Sequence, residues 1–188
     1  MAAETLAFSF GHDPSVTEFA VSKQDYLSAH ADTAFDYIAT SSLVLDREDP
    51  SNPRILLLQR AASDSKPHKW EPPGGAVDDE DQTILHAVAR ELREEAGLEA
   101  TLIGGPVGEA HIFEIRKGRV CQFNFAVQVQ TESDMPLAVK LDPDEHQRFV
   151  WALESQVKAG QADGVDLHFT SDEVRRTVLS AFEHLREN

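Results

Sequence analysis

Residues 90–98 have the sequence Arg90-Glu91-Leu92-Arg93-Glu94-Glu95-Ala96-Gly97-Leu98, and they carry most of the information about the fold of this 188-residue chain. Residues three and four apart share one face of a helix, so Glu91, Glu94 and Glu95 fall on one side. The adjoining arc is apolar and consists of Ile84, Leu85, Val88, Leu92 and Ala96. Gly97 is a helix stop, because glycine adopts the left-handed conformation at least cost. The segment predicts an amphipathic helix that holds three acids at the edge of a core.

The three carboxylates on this helix repel one another, each pair at a cost of a few tenths of a kcal/mol. A divalent cation would offset the repulsion, and oxygen ligands suit Mg²⁺ or Mn²⁺. The alternative is a solvated helix in which Arg90 and Arg93 neutralise the acids. The charge pattern alone leaves both interpretations open.

The wider string resembles the signature of the Nudix hydrolase family, Gly-x5-Glu-x7-Arg-Glu-U-x-Glu-Glu-x-Gly-U, in which U is an aliphatic residue. Its second half matches at every fixed position, namely Arg90, Glu91, Leu92, Glu94, Glu95, Gly97 and Leu98. The upstream run of strand Ile55–Arg60, then Trp70, then Pro73-Gly74-Gly75 is also similar to the family. The first half departs from the pattern. This signature, the Nudix box, runs here from Gly75 to Leu98 with one extra loop residue. Gln82 stands at the position of its first glutamate, unless Glu80 or Asp81 fills that role.

This resemblance implies an α+β fold, a Nudix-type α/β/α sandwich with a mixed β-sheet, the box helix and a C-terminal helix. It also implies a Mg²⁺- or Mn²⁺-dependent pyrophosphohydrolase. Its substrate would be a nucleoside diphosphate linked to another moiety, such as ADP-ribose, a nucleotide sugar, a dinucleoside polyphosphate or a modified nucleotide, attacked by water at phosphorus. The change at Gln82 leaves open a catalytically weak nucleotide-binding or regulatory module. A third alternative is allylic isomerisation of an isoprenoid diphosphate.

By resemblance, the helix glutamates form the catalytic and metal-binding group. Glu94 and Glu95 are expected to be direct ligands, and Glu91 is expected to be the base or a bridging ligand. Arg90 would orient a carboxylate through a charge-assisted pair.

The glycine turn and an acidic loop are expected to complete the site. The backbone of Gly75 would join the metal, and Gly74 and Gly75 would keep side chains away from metal and substrate. In the family, a further carboxylate commonly precedes a strand that bears a tryptophan. Glu145 holds that position, Asp144 is the next candidate, and an ordinary loop acid is the remaining alternative.

Positive charge lies close to the Gly-Gly turn, at Arg60, Lys66 and Lys69. Lys66 and Lys69 would neutralise phosphate, and Arg60 and Lys69 are the candidate substrate-binding residues. The alternative is that Ala61–Lys69 is an ordinary solvated loop.

The composition disfavours two classes of partner and indicates a compartment. The chain has 17 Lys and Arg against 33 Asp and Glu, a formal charge of −16, which disfavours duplex nucleic acid and anionic membranes. One cysteine excludes an intramolecular disulfide and fits a reducing compartment. Residues 1–46 contain one basic residue, Lys23, and no long apolar run. We expect a cytoplasmic protein, with the nucleus as a second compartment.

The chain is divided into an N-terminal arm, residues 1–35, and a hydrolase domain, residues 36–188. Leu6, Phe8 and Phe10 alternate with small residues as in a short strand. The arm is therefore expected to pack on the domain's own core or on a partner subunit, in which case the protein would be a homodimer.

Hydrophobic periodicity predicts the remaining elements. Strands are expected at Ile38–Leu45, Arg54–Gln59, Ala100–Ile103, His111–Ile115, Val120–Gln130 and Phe149–Ala152. The first two should be neighbours, and the hairpin turn Lys117-Gly118 should join the fourth to the fifth. An amphipathic helix closes the chain, with a capping box formed by Thr170 and Glu173.

Two residues in these strands have catalytic potential. Cys121 alternates with Phe123 on the core side, so it is interpreted as a small core hydrophobe. This disfavours the isomerase, whose chemistry uses a cysteine beside a glutamate. His111 shares a face with Phe113 and Ile115, so a satisfied buried histidine is favoured over a general base.

Overall fold

A computed structural model describes residues 9–32, 35–131 and 137–187 of the chain. Leu6 and Phe8 of the predicted arm lie outside these residues. The described strands are β1 (Gly11–His12), β2 (Tyr37–Asp46), β3 (Arg54–Arg60), β4 (Trp70–Glu71), β5 (Ala100–Gly104), β6 (His111–Ile115), β7 (Gly118–Val129), β8 (His146–Leu153), β9 (Gln161–Ala162) and β10 (Val165–Asp166). The described helices are a 3₁₀ helix (Pro14–Phe19), α1 (Lys23–Ala29), α2 (Ile84–Ala96), α3 (Glu154–Ala159) and α4 (Asp172–Glu187). None of these helices is long and apolar enough to cross a membrane.

Strand β2 joins the two halves of a mixed eight-stranded sheet. It pairs in parallel with β7 along Tyr37–Val44, and its last two residues pair antiparallel with β3. Strand β3 also pairs with β4 and β8, while β7 also pairs with β5 and β6. The predicted neighbours β2 and β3 and the predicted β6–β7 hairpin are therefore confirmed.

The sheet separates two apolar layers because successive side chains of β3 point to opposite faces. Leu56 and Leu58 belong to one core cluster with the buried face of α2. Ile55 and Leu57 belong to a second cluster with buried residues of α3 and α4. The predicted α+β class, an α/β/α sandwich around a mixed sheet, is confirmed.

The N-terminal residues pack in the same layer as α2. Val16, Phe19 and Tyr26 are buried members of that core cluster. The Phe19 ring centroid lies 4.9 Å from that of Phe123 and 5.1 Å from that of Phe125. The described part of the arm thus contacts the core of its own chain.

Helix α4 is capped by a different residue from the one predicted. Ser171 Oγ accepts the backbone N–H of Val174 at 3.2 Å. The predicted capping box of Thr170 and Glu173 is wrong, because Thr170 donates its N–H to the Trp70 carbonyl oxygen at 3.1 Å and so stays in the extended segment before the helix. The predicted apolar face is buried at Val174, Val178 and Phe182.

Strand β6 borders a cavity and not the core. Ile112, Phe113 and Ile115 are exposed by 44%, 37% and 43%. The prediction of a satisfied buried histidine is wrong, since His111 is only half-buried and its Nδ1 atom has no hydrogen-bond partner among the described residues. Cys121 is buried as predicted, and burial raises the pKa of its thiol to about 11.

Candidate metal and substrate site

Helix α2 holds its three glutamates at different depths. It begins after Thr83 and ends at Gly97, whose φ of 67° confirms the predicted helix stop. Glu95 is only 5% exposed. The side chains of Glu91 and Glu94 are 12% and 57% exposed. Glu95 and Glu91 therefore face inward, while Glu94 lies at the outer rim.

The glycine turn runs along β2 and brings backbone close to these acids. The Gly75 carbonyl oxygen accepts the Thr40 N–H at 2.8 Å. A Cβ on Gly74, whose φ is 153°, would overlap the Thr40 carbonyl oxygen. A Cβ on Gly75 would lie 2.7 Å from the carboxylate carbon of Glu91. Glycine is required at Gly74, where the obstacle is backbone, whereas at Gly75 the obstacle is the flexible end of the Glu91 side chain. The Gly75 carbonyl expected at the metal is engaged by the sheet.

Burial and crowding change the acidity of the two inner carboxyl groups. Glu95 Oε2 accepts the N–H of Gly74 at 2.7 Å. Burial raises the pKa of Glu95 well above its usual value, and the neighbouring carboxylates add to the rise against the effect of the Gly74 bond. Burial also raises the pKa of Glu91, which the Arg90 guanidinium opposes. A cation at this place would relieve the penalty on both charged forms.

Arg90 holds the acidic loop against α2. Its Nε and one terminal nitrogen donate to Asp81 at 2.9 and 2.8 Å. The other terminal nitrogen donates to Glu91 at 2.9 Å and to Glu94 at 3.0 Å. Gln82 is exposed. Of the three residues considered for the first box acid, Asp81 is therefore the one that Arg90 binds.

His146 lies among the acids although the sequence did not indicate it. The residue is 3% exposed, and neither ring nitrogen has a hydrogen-bond partner among the described residues. Its Nε2 lies 3.8 Å from Glu71 Oε1, and its Nδ1 lies 3.9 Å from Glu95 Oε1. The available signal was its position directly after the candidate Glu145, at the start of a strand.

The donor set around His146 fits a divalent cation. One ligand atom each from Glu95, Glu145 and His146 can lie within 4.8 Å of one another. Buried polar atoms are nearly always hydrogen-bonded, so a ring with two unpaired nitrogens lacks a partner that a metal ion could supply. This group does not include Glu91, Glu94 or Asp144. The structure thus brings two of the predicted ligands together and adds a nitrogen donor.

Only one of the two predicted substrate-binding cations borders the cavity next to the glycine turn. Arg60 borders a cavity of about 590 Å³ that also contacts Gly74 and Gly75, but its guanidinium forms ion pairs with Asp64 and Glu71. Lys66 also lines this cavity, and Lys69 does not. The sequence indicated positive charge near the turn but not which lysine would face the cavity.

Comparison with known proteins gives matches over most of the chain. A family model described as the NUDIX domain matches residues 37–172. The CTP pyrophosphohydrolase of Escherichia coli (strain K12), a curated relative, is 35% identical over 98 residues. The matched stretch spans 52% of this chain and 65% of the relative.

Solved structures have the same architecture. A C. elegans Ap4A hydrolase binary complex superposes with a TM-score of 0.60 at 21% identity, covering 81% of this chain and 100% of the other. The NUDIX domain of Shewanella oneidensis NrtR, complexed with ADP ribose, superposes with a TM-score of 0.54 at 17% identity, covering 88% and 99%. At these identities the likeness establishes the fold.

Proposed function

The chain belongs to the Nudix family, and on this premise we propose that it is a hydrolase of diphosphate bonds. Its substrate would be a nucleoside diphosphate linked to another moiety, cleaved by water attack at phosphorus. The observation that carries the proposal is the group of Glu95, Glu145 and His146 beside the Gly74-Gly75 turn. A cation held there would lie next to a cavity of about 590 Å³, a volume typical of small-molecule sites.

The relatives narrow the substrate class. The names of three of them refer to CTP, Ap4A and ADP ribose, each a nucleotide with phosphoanhydride linkages. We therefore propose a substrate of this class for the present chain. The single cysteine fits a reducing compartment, and we place the reaction in the cytoplasm.

Glu95, Glu145 and His146 would hold the cation, which we take to be Mg²⁺ or Mn²⁺. When bound, it would neutralise phosphate charge and lower the pKa of a bound water. Gly74 fixes the Glu95 carboxylate through its N–H. Lys66 lines the cavity and is placed to neutralise phosphate.

Arg90 and the two remaining helix glutamates are proposed to complete the machinery. Arg90 orients both Glu91 and Glu94 through one terminal nitrogen. We assign Glu91 as the general base, because its carboxylate is largely buried, borders the Gly75 backbone and is oriented by Arg90. Glu94 would contribute a ligand from the outer rim.

A catalytically weak nucleotide-binding or regulatory module is the competing hypothesis, and it is motivated by Gln82 and by the extra loop residue. Asp81 pairs with Arg90 at 2.9 and 2.8 Å, so the loop is held to α2 without an acid at Gln82. The missing glutamate therefore does not leave the loop unattached, and product release separates the two hypotheses.

The decisive experiment is Glu95→Gln, assayed for product release from a panel of nucleotide diphosphate derivatives with Mg²⁺ and with Mn²⁺. We expect kcat/KM to fall by roughly 100-fold or more, because a ligand charge is lost. Stability should stay within about 1 kcal/mol, since the amide oxygen can still accept the Gly74 N–H. The control is Glu99→Gln, because the exposed Glu99 carboxylate forms an ion pair with Arg93 and lies outside the metal group. Normal turnover by Glu95→Gln would refute the proposal.

A further inference from the structure

The burial and hydrogen bonding of His146 fit a metal ligand and not a residue that only fills the core. Its imidazole is 3% exposed, yet both ring nitrogens lack hydrogen-bond partners among the described residues. A histidine that only fills the core would leave two polar atoms without water or protein partners, which native structures avoid. The unpaired nitrogens therefore point to a partner that is not part of the polypeptide.

The two nitrogens face different carboxylates. Nδ1 lies 3.9 Å from Glu95 Oε1, which is too long for a hydrogen bond. Two ligands of one ion with bonds of about 2.1 Å lie roughly 3 to 4 Å apart, so this separation suits a shared cation. One ligand atom of Glu145 also lies within 4.8 Å of one from Glu95 and one from His146.

The other nitrogen faces a carboxylate outside the metal group. Nε2 lies 3.8 Å from Glu71 Oε1, which is also too long for a hydrogen bond, and Glu71 is held by an ion pair with Arg60. Glu71 is not part of the metal group, whereas Glu95, which Nδ1 faces, is. Nδ1 is therefore the nitrogen directed toward the cation.

We propose that His146 Nδ1 is a direct ligand of the cation held by Glu95 and Glu145. The inference rests on the proposed function only in taking this cation as the catalytic one. A nitrogen ligand among oxygen ligands favours Mn²⁺ and Co²⁺ over Mg²⁺, because Mg²⁺ prefers an all-oxygen shell. This chain is therefore expected to bind Mn²⁺ and Co²⁺ more tightly than Mg²⁺.

The test uses the full chain with one equivalent of Mn²⁺ and no nucleotide. Electron spin echo envelope modulation should show coupling to ¹⁴N in the wild type, and the coupling should change to that of ¹⁵N when the protein is labelled with [¹⁵N]histidine. In His146→Gln the coupling should disappear. The Kd of the His146→Gln variant for Mn²⁺ should rise by roughly 10-fold or more, and its Kd for Mg²⁺ should rise by a smaller factor. The control is His168→Asn, because His168 is exposed and outside the metal group.

The labelled wild type gives an answer even if His146→Gln does not fold. Bound Mn²⁺ without nitrogen coupling, or no binding of Mn²⁺, would overturn the inference. Nitrogen coupling that persists in a folded His146→Gln would also overturn it. If the coupling is present but Glu95→Gln still turns over substrate, the proposed function fails and the ligand assignment stands.

Discussion

At the scale of single residues, the Arg90–Asp81 pair is the contact with the clearest consequence. Two nitrogens of Arg90 bind Asp81, whose side chain is only 7% exposed. We expect Asp81→Asn to lower the free energy of unfolding by about 1–2 kcal/mol, because a largely shielded cation loses its main partner. We also expect a lower kcat/KM, because Arg90 orients Glu91. Urea denaturation and steady-state kinetics measure the two effects.

Gln82→Ala is the matched control for this contact. Gln82 is exposed, so its truncation should change stability by no more than about 0.5 kcal/mol. A loss in Gln82→Ala equal to or larger than that in Asp81→Asn would show that Arg90 takes its partner from position 82. The family pattern could not choose between these residues, because the path of a loop with one insertion depends on three-dimensional contacts.

The same limit explains why the sequence predicted Glu95 and Glu145 but not His146. Acidic residues were recognisable from their spacing and from the family pattern. Whether His146 points inward depends on its pairing opposite Arg60 at the start of β8. No local sequence pattern indicates which residues of β3 and β8 pair. Lys66 and Lys69 are a similar case, since their loop conformation decides which one faces the cavity.

At the scale of elements, the glycine turn fixes the distance between β2 and α2. We expect Gly74→Ala to destabilise the protein by about 3 kcal/mol or more, because a methyl group would overlap the Thr40 carbonyl oxygen and the backbone has a φ of 153°. Gly160→Ala is the control, since its φ is 73° and nothing lies within 4 Å of an added Cβ. It should cost only about 1 kcal/mol, from backbone strain alone. Urea denaturation of both variants compares the two costs, and equal losses would contradict a steric role for Gly74.

Periodicity predicted the elements well and their surroundings less well. The helix that ends at Gly97 and the β6–β7 hairpin were predicted correctly, because apolar spacing and glycine turns are local signals. The face of β6 that contains His111 was wrongly assigned to the core. Alternation shows that a strand has two faces, but the neighbouring layer decides which face is covered, and β6 borders a cavity.

At the scale of the whole molecule, the N-terminal segment adds aromatic packing to the layer that holds α2. Phe19 is 3% exposed and lies against Phe123, Phe125 and Tyr26. We expect Phe19→Ala to lower the free energy of unfolding by about 3–4 kcal/mol, the usual cost of deleting a buried ring. Phe149→Ala, at a ring that is 37% exposed, should cost clearly less in the same urea titration. Similar losses in both variants would contradict packing of this segment on the domain's own core.

Removal of the cation should stop catalysis and leave the fold intact. The two core clusters are apolar and lie on opposite faces of the sheet, so their packing does not pass through the metal group. We expect a chelator to abolish turnover while far-ultraviolet circular dichroism stays unchanged. Mn²⁺ added back at 100 times its Kd should restore turnover and stabilise the folded state by about 2.7 kcal/mol, because it binds that state preferentially. Loss of helical signal on chelation would instead show that the cation is structural, and that the acids of α2 are needed for folding.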